Sequence, residues 1–445
     1  MQKPKLQLKI RNLRKKYPKF LYKKYSYKIL DNNLEIFFYF QIEPNICFNP
    51  KIIIEKVTKK ELKKIGDREL NNLIFHLGLM EIPTYWKSTC SPIIEIQAGC
   101  LDREQINWWK KLMTNGMGQF FYENKIDWRP KSFLSIKSRL EAGPLSASDK
   151  KLKDRYLLPF AGGRDSIVTL ENLKKSASRR KEIALFMVNP TARIIKTAKV
   201  SGIKKQIIVR RVIDRKLLEL NKKGYLNGHT PFTALLSFLS VLCAVVFDYK
   251  NIAFSNEKSA NEGNLKYLGK MVNHQWAKSS QFENMFKKYC RKYLVKNINY
   301  FSYLRKYGEL DISKEFLKYP KYFSSFSSCN AGMRIIKSAS AKGSGGTRWC
   351  GNCPKCLFIY ATLYPFLSKN QLIKIFKKDI FQNKLLLPIM YDLIGQPPRR
   401  SEKGSKPFEC VGTKKENQQA FRLSLKKALR QAQGKPIPYL LTKIK

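Results

Sequence analysis

Leu157-Leu158-Pro159-Phe160-Ala161-Gly162-Gly163-Arg164-Asp165-Ser166 joins a short apolar run to a helical one through a pair of glycines. Tyr156 to Phe160 reads as a buried strand, and Ile167-Val168-Thr169-Leu170-Glu171-Asn172-Leu173 opens a helix whose apolar residues fall at helical spacing. The turn between them sits at a strand's carboxyl end. Gly162 and Gly163 carry no Cβ, so their N–H groups can approach an oxyanion closely, and Ser166 adds a hydroxyl beside the helix N-terminus. The stretch therefore predicts a phosphate-holding loop. It is not a Walker loop, because no Gly-Lys-Ser/Thr follows at the required spacing. The plainer alternative is an ordinary tight strand-to-helix turn.

The 445 residues suggest two or three domains, and a 43% hydrophobic content supports a proper core. Lys and Arg total 86 against 33 acidic residues, a net charge of +53 that draws anionic partners. Nucleic acid is the obvious one. Yet the basic residues are scattered through every segment, with no arginine-rich tail or RNA-binding motif, so solvated lysine-rich faces explain them equally well and nucleic acid is not favoured. Such a field also concentrates nucleotides. Met1-Gln2-Lys3-Pro4-Lys5 opens on charge rather than on the apolar core of a secretory signal. Pro231 to Phe247 is uncharged but short for a membrane span. The expectation is a core helix, no membrane insertion and a cytoplasmic protein.

Up to about Lys150 the pattern is strand-like alternation (Tyr25 to Leu30, Leu34 to Ile42) followed by a helical stretch around Asp102 to Met113, with Asp102 as its N-cap. Trp86, Trp108, Trp109, Phe120, Phe121, Tyr122 and Trp128 can stack on a base, but a packed aromatic core accounts for them more simply. Leu145 to Lys150 is small and polar, and marks a boundary. Beyond the glycine loop, strands at Glu182 to Val188, Gln206 to Ile213 and Asn251 to Phe254 alternate with helices at Thr191 to Val200 and from Pro231. This βαβ order implies a parallel sheet with helices on both faces and ligands at the strands' carboxyl ends.

A second polar stretch, Ser255 to Asn264, lies at another such end. Asn256, Glu257, Asn261 and Glu262 offer hard oxygens for Mg²⁺ or a grip on a polar substrate; the alternative is a helix cap, with Ser259 and Glu262 forming a capping box. His274 and Glu283 follow closely in Val272 to Glu283. Near the other end, Cys350-Gly351-Asn352-Cys353-Pro354-Lys355-Cys356 points to metal ligation in a reducing compartment rather than to disulfides. Tetrahedral zinc needs a fourth ligand. Cys329 is the first choice and Cys410 the reserve, with an iron–sulfur cluster as the alternative occupant. The chain thus divides into residues 1–150, 151–325, 326–413 and a basic tail, 414–445.

The glycine loop resembles the S-G-G-x-D-S loop of the ATP pyrophosphatase (PP-loop) family, with Ala161 in place of the first serine. The resemblance implies an α/β fold: a PP-loop/HUP-like parallel sheet with helices on both faces, an N-terminal α+β domain and a C-terminal cysteine knuckle with a basic tail. The cysteines resemble the zinc knuckle of the queuosine-precursor branch. Ser255-Asn256-Glu257, Ser259 to Asn264, Val272-Asn273-His274-Gln275, Cys353 to Phe358 and Pro407-Phe408-Glu409-Cys410-Val411-Gly412 together resemble the UDP-N-acetyl-α-D-muramoyl-L-alanyl-L-glutamate epimerases, as do Ala98 to Leu112 and Gly118 to Tyr122. That resemblance runs from about residue 80 to 413. It implies ATP- and Mg²⁺-dependent inversion of the terminal L-glutamate of a UDP-linked muramoyl dipeptide through an acyl-adenylate, in peptidoglycan precursor synthesis. Gly162, Gly163, Arg164, Asp165 and Ser166 would hold ATP, Glu257 or Glu262 would help place Mg²⁺, and Cys329, Cys350, Cys353 and Cys356 would hold Zn²⁺. His274, Glu262, Glu283 and Cys410 are the acid/base candidates, unranked. A PP-loop tRNA-modifying enzyme and a non-catalytic zinc-bearing nucleic-acid-binding protein are the rival readings.

Overall fold

The computed structural model describes residues 2–139, 146–176, 182–329, 349–396, 406–432 and 436–444. Its strands are β1 (Lys19–Leu30), β2 (Asn33–Ile42), β3 (Ile46–Phe48), β4 (Lys51–Ile54), β5 (Ile93–Cys100), β6 (Ser135–Arg139), β7 (Tyr156–Pro159), β8 (Ile183–Val188), β9 (Gln206–Val212), β10 (Asn251–Phe254), β11 (Leu265–Tyr267), β12 (Lys270–Val272) and β13 (Asn299–Ser302). All but the β11–β12 hairpin join one sheet in the order β13-β10-β7-β8-β9-β4-β2-β1-β5-β6, with β3 on β2.

The half that carries the glycine loop is parallel throughout, from β13 to β9. Numbered by their place in the chain, its strands run 3-2-1-4-5 from β9 to β13. The direction of winding therefore reverses between β7 and β10, the topological switch point where open sheets of this kind bind ligands. The loop after β7 and the polar stretch after β10 both open there.

Strand alternation divides the core. Leu157, Ala184, Phe186, Ile252 and Phe254 face one apolar layer, while Leu158, Leu185, Met187 and Ala253 face the other. The first layer receives the helix Phe232–Phe247, whose length without a charge suits burial on most sides. Ser237 and Ser240 donate to Thr233 O and Ser237 O within the same helix, so no buried hydroxyl there lacks an acceptor. Asp248, at φ +67°, ends it. No helix of the described residues is long and apolar enough to cross a membrane. The second layer receives Arg164–Ser176, Glu309–Leu317 and Pro354–Leu363.

The expected boundary at residue 150 does not divide the sheet. β4 pairs antiparallel with β9, Ile53 opposite Arg210, and the aromatics of the first 150 residues pack in the same layer as the helix Phe232–Phe247: Trp109 stacks on Phe238 at 5.1 Å. Trp86, Trp109, Phe120 and Phe121 are buried, in agreement with a packed core rather than a base-stacking face. Asp102 caps its helix with a full capping box, as expected. Ser259 does not cap one: it lies in the short turn Lys258–Asn261 and donates to Glu309 Oε1 at 2.8 Å. Leu145 lies outside the described residues.

Candidate active site and metal centre

A cavity of about 280 Å³ opens at the switch point. Its lining combines the apolar Phe186, Val188, Ile194, Phe232 and Leu236 with Gly163, Asp165, Ser166, Asn256, Lys278, Lys355 and Cys410. The volume is near the small end of the ~300–1,000 Å³ typical of ligand sites. Apolar side chains and cationic and amide groups in one cavity suit a ligand that joins a base to phosphates.

The loop is built as the sequence predicts. Gly162 takes φ +68°, which a Cβ would strain, and a Cβ on Gly163 would come within 2.9 Å of Ser328 Oγ and displace that hydroxyl. Ser166 Oγ donates to Gly163 O at 3.0 Å and closes the turn. Asp165 lines the cavity, while Arg164 turns away from it. The guanidinium of Arg164 is fully buried, donating to Asp165 Oδ1 at 2.8 Å, to Ser313 Oγ at 2.9 Å and to the Glu309 carboxylate. Arg164, expected among the nucleotide ligands, is therefore the internal brace of the loop. Burial alone would raise the Asp165 carboxyl, but Arg164, Lys355 and Lys278 outweigh it and hold it below its ordinary value.

Of the four acid/base candidates, one reaches the cavity. Cys410 lines it, with Sγ 3.1 Å from Lys278 Nζ. Burial opposes charge on Lys278, but Cys410, Glu257 and Asp165 outweigh it and keep the ammonium above its ordinary range. Glu262 Oε1 instead accepts from Lys414 N at 3.2 Å and faces the ammonium of Lys406 at 3.5 Å. His274 is placed by N–H donation to Asn264 Oδ1 at 2.8 Å, and its Nδ1 meets Gln119 Oε1 at 2.6 Å. Burial and nearby Lys278 lower it to about 4, so it is neutral at pH 7. Asn264 Nδ2 in turn donates to Pro407 O at 2.8 Å. Glu262 and Asn264 thus clamp the segment that delivers Cys410.

Glu283 binds Arg305 at 2.8 Å and Lys287 at 2.7 Å. Burial would raise its pKa, but hydrogen bonds from Lys287, Ser302 and Arg305 prevail and hold it at about 2 against an ordinary 4.5. A depressed carboxylate stabilises the fold fully above its unfolded pKa, and that contribution is lost as pH falls through the folded one. Glu283→Gln should therefore destabilise the protein by about 1–3 kcal/mol at neutral pH, the ~1.4 kcal/mol per pK unit being reduced by solvent screening. Denaturant titrations of both proteins should converge as pH falls from about 4.5 towards 2; a gap independent of pH would refute this ionic role.

Asn256 lines the cavity and donates to Ser302 Oγ at 3.0 Å. Glu257 is buried behind it; desolvation raises its carboxyl, and Asp165 and Cys410 add to the effect while Lys278 opposes it. Asn261 lies outside, accepting from Ser280 N at 2.8 Å.

Cys329, Cys350, Cys353 and Cys356 come together with all four sulfurs within 4.8 Å of one another. Cys350 Sγ and Cys356 Sγ are 3.7 Å apart, matching the ~3.8 Å edge of a tetrahedron with ~2.3 Å Zn–S bonds. N–H groups of Gly351 and Asn352 point at Cys356 Sγ and Cys350 Sγ, each at 3.4 Å, as partners for thiolates. The donor set fits a tetrahedral soft-metal ion. Cys410, the reserve ligand, is not in the cluster.

Lys278 and Lys355 escape a sequence reading. Lys355 lies inside a diagnostic word and Lys278 three residues past one, but among 86 basic residues a lysine carries no signal. Ser327 and Ser328, also at the cavity, are hidden for the same reason in a serine-rich run.

Comparison with known proteins agrees with this architecture. Residues 11–303 match the family model of the MurL N-terminal domain and residues 325–437 that of the MurL C-terminal domain. A curated UDP-N-acetyl-alpha-D-muramoyl-L-alanyl-L-glutamate epimerase from Xanthomonas oryzae pv. oryzae is 30% identical over 79% of this chain and 74% of its own length. Proteins of the same name from Micromonospora sp. and Salinispora tropica are 33% and 32% identical over 70% of this chain. The matches span 65% and 64% of those two relatives' lengths, so the chain covers from just under two thirds to three quarters of the three. A solved Methanocaldococcus jannaschii structure, described as a predicted subunit of tRNA methyltransferase, aligns over 37% of this chain and 75% of its own at 19% identity and a TM-score of 0.24, too low to bear on the fold. With two family models covering both halves of the site, this chain belongs to the MurL family.

Proposed function

We propose that this chain is an ATP-dependent epimerase that inverts the terminal L-glutamate of UDP-N-acetylmuramoyl-L-alanyl-L-glutamate in the cytoplasmic synthesis of peptidoglycan precursors. The substrate class follows from the name its relatives carry. The observation that carries the chemistry is that one cleft holds both a glycine loop and a thiol 3.1 Å from an ammonium.

The two features answer one chemical problem. A proton on the carbon beside a carboxylate resists removal, because the carbanion would form against a full negative charge. Joining that carboxylate to AMP removes the charge. In this reading the N–H groups of Gly162 and Gly163, with Ser166, receive the phosphates, and the apolar Phe186 and Val188 receive the adenine. Asp165 would supply the hard oxygens that suit Mg²⁺, which would offset phosphate charge there. Ala161 removes one hydroxyl from the loop and leaves its backbone donors in place. Cys410 then takes the α-proton onto sulfur from one face, and the C–H electron pair moves into the activated carbonyl. Lys278, whose Nζ is 3.1 Å from that sulfur, is the cation placed beside it. Water reprotonates the carbon from the other face, Cys410 returns its proton to solvent, and water cleaves the adenylate to the D-epimer and AMP, pyrophosphate having left when the adenylate formed. The four-cysteine cluster would hold Zn²⁺, which cross-links the chain at residues 329 and 350–356 without entering the reaction.

Incubation of the protein with Mg²⁺-ATP and the UDP-linked L-alanyl-L-glutamate dipeptide, with AMP and glutamate chirality assayed together, tests this directly. D-Glutamate is expected in step with AMP. AMP without inversion would overturn the epimerase assignment, and inversion without ATP would overturn the role of the loop.

A further inference from the structure

The metal knuckle and the cleft are one device. Lys355 stands between the ligands Cys353 and Cys356, at the start of the helix Pro354–Leu363. Its side chain is only 6% exposed, yet it reaches the cavity wall. A buried ammonium is costly unless it is paired. Lys355 Nζ donates to the Cys410 carbonyl oxygen and lies 5.0 Å from the Phe358 ring centroid. An ammonium has three N–H donors, so one carbonyl does not exhaust it, and Lys355 lines the cavity beside the glycine loop. From the other side Cys329 continues the segment Ser327-Ser328, where Ser327 N donates to Gly162 O at 3.1 Å and Ser328 Oγ lies against Gly163. The four sulfurs therefore tie together the two strips of chain that flank the loop.

We propose that Lys355 binds the polyphosphate of the nucleotide, and that the cysteine-bound metal sets its position, so that metal retention and nucleotide affinity are thermodynamically coupled. This rests on the reading of the cleft as an ATP site. Lys355 has no step in the proton transfer; it supplies charge where phosphate oxygens lie. Because coupling between two sites is reciprocal, a nucleotide that binds through Lys355 must in turn hold the metal more tightly.

Two measurements on the full-length, metal-loaded protein test the coupling. The first is binding of the Mg²⁺ complex of a non-hydrolysable ATP analogue, by calorimetry, to the wild type, Lys355→Gln and Lys355→Arg, with metal content and thermal melting recorded for each. Lys355→Gln should keep its metal and bind about 10- to 100-fold more weakly, the worth of one hydrogen-bonded charge contact, and Lys355→Arg should recover part of the loss. The second is the rate at which a chelator removes the metal. The analogue should slow removal from the wild type and leave the rate for Lys355→Gln unchanged. A metal-replete Lys355→Gln that binds within twofold of the wild type overturns the proposal, as does wild-type metal loss indifferent to bound analogue. If the wild type itself fails to bind the analogue, the ATP reading falls and this proposal with it. Should Lys355→Gln lose its metal or melt early, the chelator experiment on the wild type decides: metal removal slowed by bound analogue supports the coupling, and removal indifferent to it overturns it.

Discussion

Cys410→Ser should lower the rate of glutamate inversion by about 10²–10⁴-fold, the range expected for loss of a positioned acid/base group, while AMP release stays within a few-fold of the wild type. The split follows from the geometry. Cys410 enters the cleft on the segment Lys406 to Gly412, held by Glu262 and Asn264, whereas the glycine loop stands on β7 and the helix Arg164–Ser176. Serine preserves the shape of that segment and the hydrogen-bonding reach to Lys278, so the nucleotide side of the cleft is undisturbed. Its hydroxyl is too weak an acid to exchange a proton with carbon at a useful rate. In D₂O the variant should also stop incorporating deuterium at the glutamate α-carbon. Wash-in at the wild-type rate would show that another group removes the proton, and equal loss of AMP would show that the residue serves binding rather than proton transfer.

How far the sequence foretells this depends on the range of each signal. Gly162 and Gly163 are legible because a tight turn between a strand and a helix needs missing Cβ atoms at fixed places, all within ten residues. The four cysteines are legible because soft-metal ligands are rare residue types with narrow spacing. Arg164 misleads because its neighbours in sequence face the cleft, while its own side chain follows the helix into the second apolar layer and meets Glu309, 145 residues on. Glu262 and His274 mislead in the opposite way. Their nearness to a polar stretch is real, but the hairpin β11–β12 carries them towards Gln119 and Lys406 rather than into the cavity. The joining of the two sheet halves through β4 and β9 leaves no local trace at all, since antiparallel pairing across more than 150 residues is decided by packing and not by either strand's pattern.

Asp165→Asn is the complementary experiment, and it should abolish AMP formation and inversion together, by at least about 10²-fold. Asp165 is the carboxylate of the loop that faces the cavity, held below its ordinary value by Arg164, Lys355 and Lys278, so it is charged at pH 7 and available to a Mg²⁺–phosphate group. Asparagine keeps the size and one oxygen but loses the charge, and with it most of the affinity for a hard cation. The change also removes one of two carboxylates that neutralise the buried Arg164. Glu309 remains on the guanidinium, with Ser313 as a further acceptor, so the cost to folding should be about 1–3 kcal/mol, that of one charged hydrogen bond, and the cysteine cluster should keep its metal. The pair of variants therefore separates the two halves of the chemistry: one loses inversion alone, the other loses activation and everything after it. An Asp165→Asn protein that is folded, retains its metal and still releases AMP at the wild-type rate would mean that the loop holds something other than the phosphates of ATP.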